Sequence, residues 1–388
     1  MGEFDVVVVV AGPAGSVAAY ALARRGKRVA LLDRARFPRP KLCGGLLTWK
    51  SMRLLGAVLG LDAPFLLESG VINYASDRYS IFGPRQLLAA GQLSFPFHFT
   101  DRNRFDALLL ECAARAGAQV FEETQVASCV PHKGVVTTTA GREIRAHYLI
   151  GADGVNSVVR SCFPHDRVDR DRWKWNLAPA IEISLPPDRF PRPVDHPELH
   201  IGMLDAGYGW VFPNRDRVVL GICGLRRNIS NYSNKFREYL EYLDISDPSG
   251  ISLKGHPLPY GNYLEKPWCG RTLLAGDAAG LVEPLFGEGI FFAMASGLYA
   301  GKSVAKALEH GGNSARFYEQ RLHGQLLPEL KASDRLRWLL FRGVNLLGDR
   351  ALGLFVRAAS RRLGDMVHGK RSYHWTRKKN WDFLKGCQ

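Results

Sequence analysis

An α/β fold is predicted, with a parallel-sheet domain, an inserted mixed or antiparallel β-sheet domain and a C-terminal helical segment. Two observations carry this. Three apolar strands each run into a glycine turn: Asp5-Val6-Val7-Val8-Val9-Val10 into Ala11-Gly12-Pro13-Ala14-Gly15, Tyr148-Leu149-Ile150 into Gly151-Ala152-Asp153-Gly154, and Thr272-Leu273-Leu274-Ala275 into Gly276-Asp277. Between the second and third, residues 176–258 change to alternating strands with proline-rich turns. Ligands of open α/β sheets gather at the carboxyl ends of strands, so three such turns in one sheet would face one crevice.

The unbroken valines suit a parallel strand covered on both faces. Residues 16–25 carry helix-forming Ala and Leu, stop at Gly26, and lead into Val29-Ala30-Leu31-Leu32-Asp33. This is a Rossmann-like dinucleotide layout. Gly15 permits close helix-to-strand packing, the helix-start amides suit a pyrophosphate, and Asp33, 21 positions after Gly12, sits where a carboxylate meets ribose hydroxyls. One position departs from G-x-G-x-x-G. Val10 stands where the first glycine is expected, and a β-branched residue does not readily supply that tight turn. Alone, so damaged a motif reads equally well as a packing turn.

Residues 37–47 form a loop rich in Pro, Arg and Gly, 49–59 a helix, and a polar, strand-prone stretch follows. A helix over 101–116 places Phe105, Leu108, Leu109 and Cys112 on one face and ends at Gly117. Short strands are expected over 119–121, 124–129, 134–139 and 142–150, one helix near 234–243, and a long helix over 289–309. The nucleotide domain is therefore discontinuous (1–70, 100–175, 265–325), with the inserted domain at 71–99 and 176–264 and the helical segment at 326–388.

The 388-residue chain has no apolar run long enough for a membrane span; 280–301, for example, contains Glu283 and Glu288. Glu3 and Asp5 stand where a secretory signal would be basic, so a cytoplasmic location is expected. Seven cysteines (43, 112, 129, 162, 223, 269, 387) form no C-x-x-C pair, which suggests neither disulfides nor a metal site. The formal charge is +15, and the last 58 residues hold 14 Lys/Arg against 4 Asp. Trp338, Phe341, Phe355, Tyr373, Trp375, Trp381 and Phe383 interleave with this charge. The mixture reads as a helical appendage with a solvated basic face, as a surface for anionic lipid giving peripheral membrane association, or as a cover over a cavity. No nucleic-acid motif accompanies it, and no nucleic-acid partner is expected.

Taken together, these motifs resemble the FAD-binding flavoprotein superfamily with a p-hydroxybenzoate-hydroxylase-like fold, and most closely its geranylgeranyl reductase family, over residues 5–309. Gly12, Gly15 and Asp33 match the ADP-binding fingerprint, with Ala14 and Arg34 beside it. Arg102, ahead of Phe105-Asp106, matches the arginine of the R-x-x-F-D-x-x-L helix that contacts FAD. Asp153 and Gly154 match the second glycine/aspartate motif, associated with flavin and pyridine nucleotide. Gly276 and Asp277 match the motif whose aspartate bonds the ribityl chain, and Gly287-Glu288-Gly289-Ile290 the turn beside the isoalloxazine. Lys41-Leu42-Cys43-Gly44-Gly45 resembles the family's P-x-x-x-C-G-G loop, and Tyr208-Gly209-Trp210-Val211-Phe212-Pro213 its Y-x-W-x-F-P signature. Flavin halogenases carry W-x-W-x-I-P; here Trp173-Lys174-Trp175 is followed by Asn176-Leu177, which argues against halogenation.

The resemblance implies bound FAD, electrons from NADPH or a protein donor, and saturation of double bonds in a hydrophobic prenyl-type substrate. Cys43, Tyr208 and Trp210 are the candidate reaction-site residues. Cys43 either protonates an alkene carbon or packs on the ring, while Tyr208 and Trp210 either wall a prenyl chain or fill the core of the inserted sheet. Glu288 reads as a structural hydrogen-bonding partner. Two alternatives stand beside the reductase: an FAD monooxygenase of the same fold, and a non-catalytic relative whose flavin binding Val10 has weakened.

Overall fold

A computed structural model describes residues 4–84, 86–204, 206–225, 231–245, 253–374 and 381–386; for 341–352 and 386 only the backbone is described. Glu3, Trp375, Cys387 and the Phe341 side chain lie outside the described residues.

In chain order the elements are β1 (Phe4–Val9), α1 (Pro13–Ala23), β2 (Val29–Leu32), β3 (Leu46–Leu47), α2 (Trp49–Leu59), α3 (Ala63–Glu68), β4 (Ile72–Phe82), β5 (Leu87–Thr100) and α4 (Arg102–Arg115). Next come β6 (Gln119–Phe121), β7 (Val126–Val130), β8 (Val135–Thr138), β9 (Glu143–Gly151), α5 (Val158–Ser161), α6 (Arg170–Trp175) and β10 (Ala178–Leu185). They are followed by β11 (Glu198–Ile201), β12 (Gly207–Pro213), β13 (Val218–Gly224), α7 (Tyr232–Tyr242), β14 (Lys254–Leu258), β15 (Trp268–Cys269) and β16 (Thr272–Leu274). The chain closes with α8 (Ile290–His310), α9 (Ser314–Arg321) and α10 (Leu327–His368).

The first sheet runs β15-β16-β9-β1-β2-β6, with β8 joining β9 and β7 joining β8. Strands β16, β9, β1, β2 and β6 are parallel, so the turns after β1, β9 and β16 open at one edge. Val6, Val7 and Val8 are fully buried, which is why the strand from Val6 to Val9 is apolar at consecutive positions rather than every second one. Helix α8 lies on α1 backbone to backbone. A Cβ on Gly297 would stand 2.1 Å from the Ala14 carbonyl oxygen, so α8 needs glycine there.

The second sheet runs β14-β10-β13-β12-β11-β4-β5-β3 and is antiparallel except for the β11–β4 pair, so it is mixed. Leu46 and Leu47 pair with Phe99 and His98 at its edge, which moves this part of the expected nucleotide domain into the second sheet. Alternation along β10 sends Ile183 and Leu185 to one face, where they pack with Phe236, Tyr239 and Leu240 of α7. Ala180 and Glu182 go to the other face, toward the first domain.

The C-terminal segment is integrated into the fold. Helix α10 packs along β5, placing Val367 with Leu93, Phe97 and Phe99, while Trp381 and Phe383 join the core around Phe291 and Phe292. Of the readings offered for this segment, the helical appendage with an aromatic inner face is the one these contacts display. Among the described residues, no helix is long and apolar enough to cross a membrane.

Candidate active site

A cavity of about 760 Å³ runs between the two sheets. Its first end is the glycine turn after β1. Gly12 is the N-cap of α1 with no side-chain cap, and only the Arg39 guanidinium lies within 4 Å of where a Cβ would be. The helix-start amides therefore face open space, a cradle suited to a pyrophosphate. Asp33 is buried; its carboxylate accepts from the Ala11 N–H at 2.9 Å and the Ala35 N–H at 2.9 Å, with Arg39 Nε 3.7 Å away. Arg34 beside it is exposed. These partners leave the carboxylate lone pairs for a ribose. An FAD molecule fits this donor and acceptor set.

Val10 holds φ +77°, the left-handed conformation that the fingerprint assigns to glycine. The turn is thus built as the motif requires, with a β-branched residue strained into place at roughly 1–3 kcal/mol. Val10→Gly is expected to raise thermal stability and FAD occupancy together; calorimetry and the flavin absorbance retained after desalting measure both, and no change in either would show that the turn tolerates valine.

Gly15 does not line the cavity. A Cβ there would stand 1.9 Å from the Val10 carbonyl oxygen, so this residue serves helix packing, a correction to its expected contact with the cofactor. Asp153 accepts from Ser157 Oγ at 2.6 Å and the Val159 N–H at 3.1 Å; both its oxygens hold the α5 turn, and Gly154 at φ +76° opens beside it. Asp277 lines the cavity without a side-chain hydrogen bond among the described residues, and burial raises its carboxyl pKa against the pull of Lys41 and Arg102. Ala14, Gly276, Gly287, Gly289 and Ile290 complete this wall.

The middle of the cavity is the Lys41-to-Gly45 loop. Gly45 sits at φ +69° with the Thr100 carbonyl oxygen 2.1 Å from where a Cβ would be, and a Cβ on Gly44 would strike the Phe212 ring at 2.8 Å. Both glycines let the loop press onto β5 and β12. Cys43 Sγ accepts from the Gly45 N–H at 3.4 Å and lies beside the Arg102 guanidinium. Arg102 is held in turn by two bonds to the buried Asp106, at 2.8 and 2.9 Å.

The floor is the second sheet, and its register aligns two cross-strand rows. His256, Ala180, Cys223 and Tyr208 form one; Lys254, Glu182, Gly221, Trp210 and Leu199 form the next. A Cβ on Gly221 would lie 2.4 Å from the Trp210 ring, so this glycine lets the indole lie across the strand toward Glu182. The Trp210 indole N–H is buried without a hydrogen-bond partner among the described residues. The Tyr208 hydroxyl donates to the Phe286 carbonyl, tying the floor to the turn before α8. Its single proton is engaged, so Tyr208 is a wall and a tie. Burial pushes Glu182 up to about 7, partly opposed by the Cys43 backbone N–H, and burial with Lys41, Arg102 and Arg34 nearby lowers His256 to about 4.

The far end is apolar, lined by Ile81, Leu93, Phe97, Leu199 and Leu258, with Leu363, Gly364 and Val367 of α10 closing it. Lys50, fully buried, donates to the Val367 carbonyl at 2.7 Å and pairs with Glu288 at 3.0 Å. Glu288 also accepts from the Phe291 N–H, so it acts structurally, joining α10 to the start of α8.

Apart from Gly15, the residues expected at the site line this one cavity. Sequence reasoning missed Arg39, Glu182 and His256, whereas the α10 wall matches its reading of the C-terminal segment as a cover over a cavity. The one available signal was the strand Ala178–Leu185, where a lone glutamate shares a face with small alanines.

Comparison with known proteins bears on the family and the fold. Residues 3–320 match the family model described as FAD binding domain. The geranylgeranyl diphosphate reductase of Rhodobacter capsulatus is 31% identical over 328 residues, covering 80% of this chain and 77% of that protein. The menaquinone reductase of Mycolicibacterium smegmatis is 32% identical over 337 residues, covering 79% and 77%. Among solved structures, a geranylgeranyl bacteriochlorophyll reductase-like protein from Thermoplasma acidophilum aligns with a TM-score of 0.75 at 21% identity, over 99% of this chain and 95% of that one.

Proposed function

The chain belongs to the geranylgeranyl reductase family of FAD-dependent oxidoreductases, and from that premise we propose that it saturates carbon–carbon double bonds of a prenyl-type lipid. The observation that carries this reading is the continuity of the cavity. The glycine cradle, the Cys43 loop and an apolar compartment share one space, with Trp210 and Phe212 between the polar and apolar ends. Such a compartment holds a hydrocarbon by burial of apolar surface.

FAD bound along Gly12, Asp33, Arg102 and Asp277 would, when reduced, supply hydride chemistry there. The protein's part is placement. Gly44 and Gly45 bring the loop backbone down onto the sheet, the aromatic floor aligns the chain, and α10 excludes water, which together favour a near-attack arrangement. Electrons enter from NADPH or a protein donor. The substrate comes from a membrane, and the exposed Trp338, Leu339 and Leu354 of the basic α10 offer a peripheral contact with anionic headgroups.

Holoprotein reduced without oxygen and mixed with a geranylgeranyl lipid is expected to recover the oxidised flavin spectrum as the lipid gains hydrogen. A reduced flavin that stays reduced until oxygen is admitted, with oxygen uptake stimulated by the lipid, would instead identify a monooxygenase. A purified protein that holds no FAD would identify the non-catalytic alternative.

A further inference from the structure

Alkene reduction needs a proton as well as a hydride, and the cavity contains several proton-bearing groups. Cys43 Sγ accepts from Gly45 and sits beside Arg102, so its lone pairs face donors. The Tyr208 proton is committed to Phe286. Lys41 Nζ turns back toward the Leu42 carbonyl, at 3.5 Å. His256 is neutral near pH 7. Glu182 remains.

Resting on the reductase reading, we propose that Glu182 is the proton donor of the reduction. Its side chain lines the cavity from the floor strand β10, in the same cross-strand row as Trp210 and across the glycine gap at Gly221. It is 7% exposed, and among the described residues no cation lies within ion-pair distance of it. The groups facing it are Lys41 and Cys43 from the loop, Arg217 from the β12–β13 turn, and Lys254 and His256 from β14. The Cys43 backbone lies close enough to its carboxyl to favour the charged form, so the acid sits where the loop meets the floor. With reduced FAD bound as the two-electron hydride source, the alkene π bond would open, one carbon gaining the hydride and the other the Glu182 proton. The O–H bond breaks as C–H forms, and the carboxylate regains its proton from solvent.

Burial holding this acid near 7 fits the role, because a general acid works best with a pKa near the working pH. It also gives a readout that needs no turnover. Between about pH 4.5 and 7 the folded protein keeps a proton that the unfolded chain has released, so Glu182 makes stability fall as pH rises through that window.

The test uses holoprotein carrying Glu182→Gln, which keeps an acceptor beside the Cys43 backbone but has no proton to give. Anaerobic reoxidation by the lipid is expected to slow about 100-fold or more, with flavin retained, and the wild-type decline in rate above pH 7 to vanish. Glu182→Asp should recover part of the rate. An E182Q rate and pH profile equal to wild type would overturn the proposal. In parallel, E182Q should melt above wild type at pH 8, the difference shrinking toward pH 4.5; a pH-independent difference would show that Glu182 is ionised throughout and overturn the proposal even if E182Q lost flavin. If wild-type holoprotein reduces no prenyl lipid, the reductase reading fails instead, and the melting series still reports whether Glu182 holds its proton.

Discussion

Gly15→Ala is expected to leave almost no folded holoprotein. The added methyl would stand 1.9 Å from the Val10 carbonyl oxygen and 3.3 Å from the Ala152 Cβ. The first contact is with backbone, which no rotamer change relieves, and it lies where β1, β9 and α1 meet. Overpacking a core typically costs about 1–3 kcal/mol, and a contact with fixed backbone belongs at or above the top of that range. Gly26→Ala is the control. Gly26 also has positive φ, +68°, but nothing lies within 4 Å of its missing Cβ, so only local strain of about 1–2 kcal/mol applies. Thermal unfolding of the two variants side by side, with FAD retention on desalting, separates steric exclusion from backbone strain. Equal losses would show that α1 can move away from β1. Val10→Gly should not rescue Gly15→Ala, because the obstructing atom is a carbonyl oxygen that glycine also carries.

The same corner shows why part of the fold was legible in sequence. A strand buried on both faces is apolar at every position, and a turn that must approach a helix closely takes glycine; both requirements are local and leave a local trace. Even Val10 follows this logic, since the missing glycine marked the residue held at φ +77°. Glu182 left only the faint trace of a lone glutamate among small alanines on one strand face. A glutamate on an alternating strand reads as solvent-facing, and only the register with β13 and β14 and the docking of the sheet on the first domain bring that face indoors. Lys50 is similar. In a helix it reads as a solvated charge, yet it is enclosed because the end of α10 and the start of α8 converge on it across more than 200 residues of chain. The aromatic and basic character of the C-terminus was plain, but whether those aromatics faced lipid or protein depended on contacts between distant segments.

Arg102→Met is expected to destabilise the protein by about 3–5 kcal/mol, the effect of leaving a buried charge without its partner. Asp106 is fully enclosed and receives two hydrogen bonds from Arg102; after the substitution only Arg39, at 3.5 Å, remains beside it. Loss of flavin in this variant would be ambiguous, because unfolding alone produces it. The double variant Arg102→Met, Asp106→Leu removes the ambiguity. Replacing a buried ion pair with apolar groups of similar size is often neutral or stabilising, so the double variant should unfold near wild type in urea. Its FAD affinity is nevertheless expected to remain weak, since the guanidinium beside Cys43 and Asp277 is gone. Fluorescence titration with FAD decides the matter. Wild-type affinity in a stable double variant would make Arg102 a partner of Asp106 alone, whereas weak binding on a restored fold would give it a second role in holding the flavin at the loop where reduction is proposed to occur.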